Sequence, residues 1–186
     1  MHPSGYQIAV SCIDKIVINL IFHDSLRAIN TLPIGGAHIL KYSRGGHLLL
    51  VVDKNGIRAF NAYTMKQVSD TIRRDGTKIV DLTFADLDRA VAVVFTTGKI
   101  ERWEIPSFTP IKSAAIEDDE KNNREKFYYK SIDFIQEGPK DPHMQGGQGA
   151  TNHIHKSDWA VGVAGTDGKK MKFKIVDANN QVVKGQ

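Results

Sequence analysis

The sequence predicts an all-β fold that is built from repeated antiparallel units. Short apolar runs rich in Val and Ile are each followed by a tight turn and a second strand pattern. The clearest unit is the run 90–95, which precedes the turn Thr96-Thr97-Gly98 and the segment 99–105. A strand, hairpin and strand of this size cannot bury their own apolar faces, so they predict neighbours of the same kind.

The unit recurs at a nearly constant spacing. Ile57 follows Ile16 by 41 residues and Ile100 follows Ile57 by 43, each at the same place after an apolar run. Met171 comes 71 residues after Ile100, which is one period plus an insertion of roughly 29 residues. Turns precede three of the apolar runs at the same interval: Ser4-Gly5, Gly45-Gly46 and Asp86-Leu87-Asp88. A period of about 40–45 residues with four strands per unit is typical of β-propeller blades.

We therefore predict a propeller segment of about four blades within residues 1–186, forming part of a larger or shared ring. The blades are expected at approximately 1–34, 38–73, 78–113 and 127–186. The first is expected to lack its first strand, because only Met1 precedes the turn His2-Pro3-Ser4-Gly5. An unfilled strand position leaves backbone groups available for pairing.

Strands are expected in each blade, and the hairpin residues support their positions. The predicted strands are 7–12, 15–21 and 26–31; 38–43, 47–52, 57–61 and 66–72; 78–84, 90–95, 99–104 and 109–113; and 127–135, 158–164, 170–176 and 181–184. Asp53-Lys54-Asn55-Gly56 predicts a type I′ turn, because Asn-Gly favours positive φ angles.

Two segments interrupt the pattern, and they hold the candidate partner-binding residues. The linker 114–126 is charged, with acidic residues before basic ones, which favours a short exposed helix or a loop. It is either a solvated linker or a docking element, in which the candidate residues are Glu117, Asp118, Asp119, Glu120, Lys121 and Arg124. The insertion 136–157 is rich in Gly and polar residues, which predicts a flexible loop.

Three histidines of the insertion are further candidates for partner binding: His143, His153 and His155. His-x-His on a strand places both imidazoles on one face, and Asp158 would add a carboxylate, so metal binding is an alternative. Exposed loop histidines are the simpler interpretation, and we predict no metal site.

Composition excludes several classes of partner. The 186 residues include 25 basic and 21 acidic ones, for a formal charge of +4. The basic residues are spread along the chain apart from a loose group at 169–174, so we expect no nucleic-acid partner. No apolar window approaches about 18 residues, so we expect no membrane partner. The single cysteine, Cys12, fits a reducing, cytoplasmic compartment, and its apolar strand favours buried packing.

No motif argues for catalysis. His23-Asp24-Ser25 holds the residue types of a hydrolytic triad, but adjacent residues rarely converge on one reacting atom, so a turn is the better interpretation. Gly146-Gly147-Gln148-Gly149 lacks the Lys and Ser or Thr of a phosphate-binding loop. We predict a protein that is not an enzyme, with no catalytic residues, no cofactor and no small-molecule substrate.

The units resemble WD repeats, because Trp103-Glu104 and Phe60-Asn61 stand where those repeats carry Trp-Asp. The chain is also similar to a family of cilia- and flagella-associated WD-repeat proteins. The landmarks are His2-Pro3-Ser4-Gly5, Asp14-Lys15, Asn19-Leu20, Tyr42-Ser43 and Gly45-Gly46-His47-Leu48, with Lys130-Ser131 and Gly165-Thr166-Asp167 fitting less closely. The sequence departs from the pattern at Arg73-Arg74, which replaces the usual Gly-His, and it contains no coiled coil.

The resemblance implies a scaffold in the ciliary or flagellar axoneme, near the inner dynein arms and their regulatory complex. Its expected partners are other axonemal proteins, including a chain or segment that completes the propeller. One alternative is an adaptor in another intracellular complex, such as a ubiquitin ligase receptor or a trafficking coat. A remote alternative is a metal-dependent enzyme that uses the histidine insertion.

Overall fold

The computed structural model describes residues 1–69, 71–72, 78–115, 128–135, 160–166, 171–176 and 182–185, and these residues form an all-β structure. They build four antiparallel sheets, and within each sheet the strands follow one another in chain order. The described part of the chain contains no helix with the length and hydrophobicity needed to cross a lipid bilayer.

The fourteen strands that the structure describes are divided among the sheets as follows. Sheet 1 contains β1 (Gln7–Ser11), β2 (Ile16–Ile21) and β3 (Leu26–Leu32). Sheet 2 contains β4 (Ile39–Tyr42), β5 (Leu48–Asp53) and β6 (Gly56–Asn61). Sheet 3 contains β7 (Ile79–Ala85), β8 (Ala90–Phe95), β9 (Lys99–Glu104) and β10 (Pro110–Ala115). Sheet 4 contains β11 (Tyr128–Ile135), β12 (Ala160–Thr166), β13 (Met171–Val176) and β14 (Val182–Gly185).

The predicted strands are confirmed with small shifts at their ends, with one exception. The described residues of the segment 66–72 do not form a named strand along β6 but make isolated bridges, Phe60 with Gln67 and Ile57 with Ile72. Between these bridges the Ser69 hydroxyl accepts the Ala59 N–H at 3.1 Å. A side-chain oxygen therefore replaces a backbone carbonyl, which interrupts the ladder of backbone hydrogen bonds.

The predicted type I′ turn is also wrong. Neither Lys54 nor Asn55 has a positive φ, whereas Gly56 has a φ of 133°. The Asp53 carboxylate holds the turn by accepting the Asn55 N–H at 2.7 Å and pairing with the Arg58 guanidinium. Because the Asp53 side chain closes the turn, the turn does not need the positive φ angles of a type I′ turn.

The core lies between the sheets rather than within any one of them. Alternate residues of β5 point to opposite faces: Leu49 and Val51 pack against sheet 1, whereas Leu48, Leu50 and Val52 pack against sheet 3. Each residue of β5 and β8 is buried, as expected for a strand that is covered on both sides.

A third cluster continues the core from sheet 3 to sheet 4, through Ala92, Val94 and Ile100 on one side and Ile132 and Val163 on the other. Packing in the described residues therefore runs from sheet 1 to sheet 4 in chain order. The strand number and order fit blade-like units, while their assembly into a propeller stays a prediction.

Polar contacts join the turns of successive sheets. Asp88, in the turn between β7 and β8, accepts the Arg44 N–H at 2.9 Å and the Gly45 N–H at 2.6 Å from the equivalent turn of sheet 2. Its side chain is buried, and Nδ1 of His47 lies 3.9 Å from its carboxylate. One carboxylate therefore satisfies two backbone donors of the neighbouring sheet.

We expect Asp88→Asn to lower the free energy of unfolding by about 1–2 kcal/mol, because the amide retains a single acceptor oxygen for the two donors and loses the charge. Urea denaturation followed by circular dichroism measures this change. Asp86→Asn is the matched control: Asp86 also has a positive φ, which Asn tolerates, and we expect a change below about 0.5 kcal/mol. Equal losses in the two variants would contradict a specific role for Asp88.

Candidate functional site: the open edge and outer face of sheet 1

Within the described residues, no strand pairs with the free edge of β1 in sheet 1. The Ser43 N–H donates to the Leu48 carbonyl at 2.9 Å where β4 leads into β5, and the His2 N–H makes the same bond to Gln7. His2 therefore occupies in sheet 1 the position that Ser43, 41 residues later, occupies in sheet 2. No described strand of sheet 1 corresponds to β4.

The alternation of hydrogen bonds identifies the backbone groups at this edge. Cys12 bonds to Lys15, and Tyr6 bonds to Ile21, so the even-numbered residues of this segment direct their backbone groups toward β2. Ala9 and Ser11 therefore direct their N–H and C=O groups away from β2. These groups form a template on which a further strand can pair.

One face of sheet 1 is apolar, and no described sheet packs against it. Ile16 and Ile18 of β2 are buried against sheet 2, whereas the opposite face carries Tyr6, Ile8, Val10, Val17, Ile21 and Leu26. Tyr6 is 70% exposed and Leu26 is 60% exposed. β2 therefore has the near-continuous apolar sequence of a strand that is covered on both faces, but only one face is covered.

His2 fastens the start of the chain to sheet 2. Its Nε2 lies 2.9 Å from the Gly46 carbonyl oxygen, and its ring packs edge-on against Tyr42 and Tyr63. Gly46 has a φ of 75°, and a Cβ at this position would meet the imidazole at 2.4 Å, so a glycine is required. The edge of β1 is thereby held in a fixed position relative to sheet 2.

The first strands of sheets 2, 3 and 4 are joined by side chains. Lys41 Nζ on β4 donates to the Leu82 carbonyl of β7 at 2.8 Å. Thr83 on β7 donates to Asp133 of β11 at 3.1 Å. The Asp81 carboxylate accepts the Ile132 N–H, also at 3.1 Å. Side-chain hydrogen bonds therefore link the first strands of these three sheets in chain order.

The predicted partner-binding residues lie outside the described residues. They are Glu117, Asp118, Asp119, Glu120, Lys121 and Arg124 of the linker and His143, His153 and His155 of the insertion. Asp158, the carboxylate of the metal alternative, lies outside them as well. Within the described residues, no group of three or more His, Cys, Asp or Glu is placed to hold a metal ion.

Two smaller predictions fall within the described residues. The segment His23-Asp24-Ser25 forms an exposed turn, as predicted: the Phe22 N–H bonds to the Ser25 carbonyl, and the Ser25 hydroxyl bonds to Asp24 at 3.0 Å. Cys12 is partly exposed rather than fully buried, and it lies just after β1, where the chain turns toward β2.

A shallow groove lies between sheets 2 and 3. It has a volume of about 550 Å³ and is lined by Gln67, Val68, Ser69, Pro106 and Ser107. The Ser69 hydroxyl is engaged by Ala59, and none of the described residues that line the groove is charged.

Sequence reasoning missed the two side chains that join the turns, His2 and Asp88. Each acts on a residue about 44 positions away in the sequence. The regular spacing of the turns was the available signal, because turns that recur once per sheet are brought together when the sheets stack.

The described residues define an all-β protein of blade-like antiparallel sheets that pack in series. No family model matches the chain. The chain is similar to cilia- and flagella-associated protein 57 A of Tetrahymena thermophila, with 25% identity over 112 residues. The match covers 60% of this chain and 9% of the relative, so the chain spans a small part of that protein's length.

Tyr42 offers a test of the contact between sheets 1 and 2. Its hydroxyl is buried without a hydrogen-bond partner among the described residues, and burial raises the pKa of Tyr42. We expect Tyr42→Phe to leave the free energy of unfolding unchanged or raise it by up to about 1 kcal/mol, since the ring is kept and an unsatisfied group is removed.

The pKa shift also gives a pH dependence. The unfolded phenol ionises near pH 10 and the folded one only at higher pH, so stability conferred by the neutral form is lost as the pH rises through this range. Chemical denaturation between pH 8 and about 11 should show a smaller alkaline decline for Tyr42→Phe than for the wild type. Tyr63→Phe, at an exposed position, is the control, and an equal effect there would contradict the assignment.

Proposed function

We propose that the protein is a non-enzymatic scaffold of the ciliary or flagellar axoneme that binds other proteins through blade-like sheets. The similarity to a cilia- and flagella-associated protein supports the ciliary assignment. The resemblance of the repeats to the WD-repeat family supports a propeller, and the resemblance to the cilia- and flagella-associated WD-repeat proteins supports a position near the inner dynein arms. The charged linker and the histidine insertion are proposed as additional contact regions.

The observation that carries the proposal is the unfilled strand position in sheet 1. The outward backbone groups of Ala9 and Ser11 stand in a row with the Gln7 carbonyl, which His2 already uses. An extended segment of a partner would pair with this row and gain backbone hydrogen bonds without requiring any rearrangement of β2. We propose that an axonemal partner contributes this strand.

The ciliary role is tested by expressing the tagged protein in ciliated cells and separating detergent-resistant axonemes from soluble material. We expect the protein in the axonemal fraction, released together with inner dynein arm components by salt. Recovery of the same partners from ciliated and non-ciliated cells would instead favour an adaptor in another intracellular complex.

The strand-addition mechanism is tested by Ala9→Pro, which removes an outward N–H but no bond to β2. Axonemal recovery is expected to fall at least tenfold, because one hydrogen bond is lost and the proline ring obstructs pairing. Ala28→Pro is the matched control: Ala28 lies on β3 at the opposite edge, and its N–H also points away from β2 by the same alternation.

Circular dichroism would show whether both variants retain their β structure. Axonemal recovery that is reduced equally by the two substitutions, or only by Ala28→Pro, would contradict pairing at β1.

A further inference from the structure

The turn between β7 and β8 has a strained backbone. Asp86, Leu87 and Asp88 have φ angles of 47°, 53° and 67°, and the Arg89 N–H closes the turn by donating to the Asp86 carbonyl at 3.0 Å. Non-glycine residues rarely adopt positive φ angles, because the Cβ then approaches the following carbonyl oxygen. Three such residues in succession are therefore unfavourable unless other contacts hold them there.

The equivalent turns of sheets 1 and 2 avoid this strain. Each of them has one residue with a positive φ, and that residue is a glycine: Gly5 in sheet 1 and Gly46 in sheet 2. Glycine adopts this conformation at no steric cost. The chain forms the same turn twice without strain, so the reason for the strained third turn must lie in its side chains.

Contacts within the described residues account for Asp88 but not for Leu87. The buried Asp88 carboxylate accepts the Arg44 and Gly45 N–H groups of sheet 2 and so fixes the turn. Leu87 is 78% exposed, so its packing does not offset the cost of its backbone conformation. The turn therefore holds a large apolar side chain out from the surface in a fixed position. Strained positions of this kind are typical of ligand clamps and binding loops.

The exposed charges beside Leu87 are basic. Arg89 ends the same turn, Arg44 lies in the turn of sheet 2 that Asp88 contacts, and both arginines are exposed. The acidic residues of these two turns are less accessible, because Asp86 is partly buried and Asp88 is buried. An apolar anchor flanked by arginines complements an acidic surface that contains an apolar pocket.

We propose that the joined turns 43–47 and 86–89 form a contact site for an acidic segment of a partner protein, with Leu87 inserted into an apolar pocket of that partner. Because Asp88 holds the turn in place beforehand, binding requires little further ordering of the backbone. The inference rests on the proposed role as a protein-binding scaffold, but it depends neither on the ciliary assignment nor on the open edge of β1.

Photo-cross-linking of the tagged chain in ciliated cells tests the contact. A photoreactive phenylalanine analogue encoded at position 87 should link the chain to another protein, through a peptide with more acidic than basic residues. The same analogue at position 13 is the control, because Ile13 is 95% exposed in the turn between β1 and β2. Arg89→Glu should lower the yield of the product linked at position 87 at least about fivefold. Lys54→Glu, an equal charge reversal at an exposed position between β5 and β6, should not.

Leu87→Gly separates a binding role from a structural one. Glycine relieves the strain, so the thermal midpoint of the purified variant should rise by about 2–4 °C. Recovery of the cross-linked partner with this tagged variant should nevertheless fall at least about fivefold, because the apolar anchor is lost. Ile13→Gly is the matched control: Ile13 does not have a positive φ, so neither a higher midpoint nor a loss of partner is expected.

The opposite results overturn the inference. Cross-linking at position 87 that does not exceed that at position 13, or links to mainly basic peptides, would exclude an acidic contact. A midpoint that does not rise in Leu87→Gly would show that the turn is not strained, and full recovery of the partner would show that Leu87 is not the anchor. Axonemal recovery of the wild-type chain could succeed in each of these cases. Links to a protein that is absent from axonemes would instead contradict the ciliary assignment alone.

Discussion

The central constraint on this structure is that each sheet is apolar on both faces and cannot bury either face without a neighbouring sheet. A strand such as β5 places Leu49 toward one neighbour and Leu50 toward the other, so its burial depends on two further sheets. Stability is therefore shared between neighbours, as in other repeat structures where each unit contacts the next. The first and last sheets are left with one uncovered face each in the described residues.

Much of the fold could be predicted from the sequence because its determinants are local. Alternating apolar residues and turn formers lie within a few positions of one another, and they located the hairpins of all four sheets. The unfilled first strand was also predictable, since a turn at Ser4-Gly5 recurs at Gly45-Gly46 with a strand before it only in the second case.

The failures have a physical cause in interactions that spacing does not encode. The Asn-Gly sequence favoured a type I′ turn, but the Asp53 carboxylate closed the turn locally and changed its geometry. The segment 66–72 had strand composition, but the Ser69 hydroxyl displaced a backbone acceptor. The candidate residues of the linker and the insertion were chosen for charge and chemistry alone, and they lie outside the described residues. The apolar outer face of sheet 1, by contrast, becomes recognisable only when the packing of β2 is known.

The chain-order connection of the strands has a consequence for biosynthesis. Each sheet pairs strands that are neighbours in the sequence, and the connections within sheets 1 to 3 are short, so these sheets can begin to form as soon as their own residues leave the ribosome. Sheet 1 is synthesised before sheet 2, so Ile16 and Ile18 stay exposed until sheet 2 covers them. A nascent chain in this condition is a natural client for molecular chaperones, which bind exposed apolar surface until the rest of the assembly arrives.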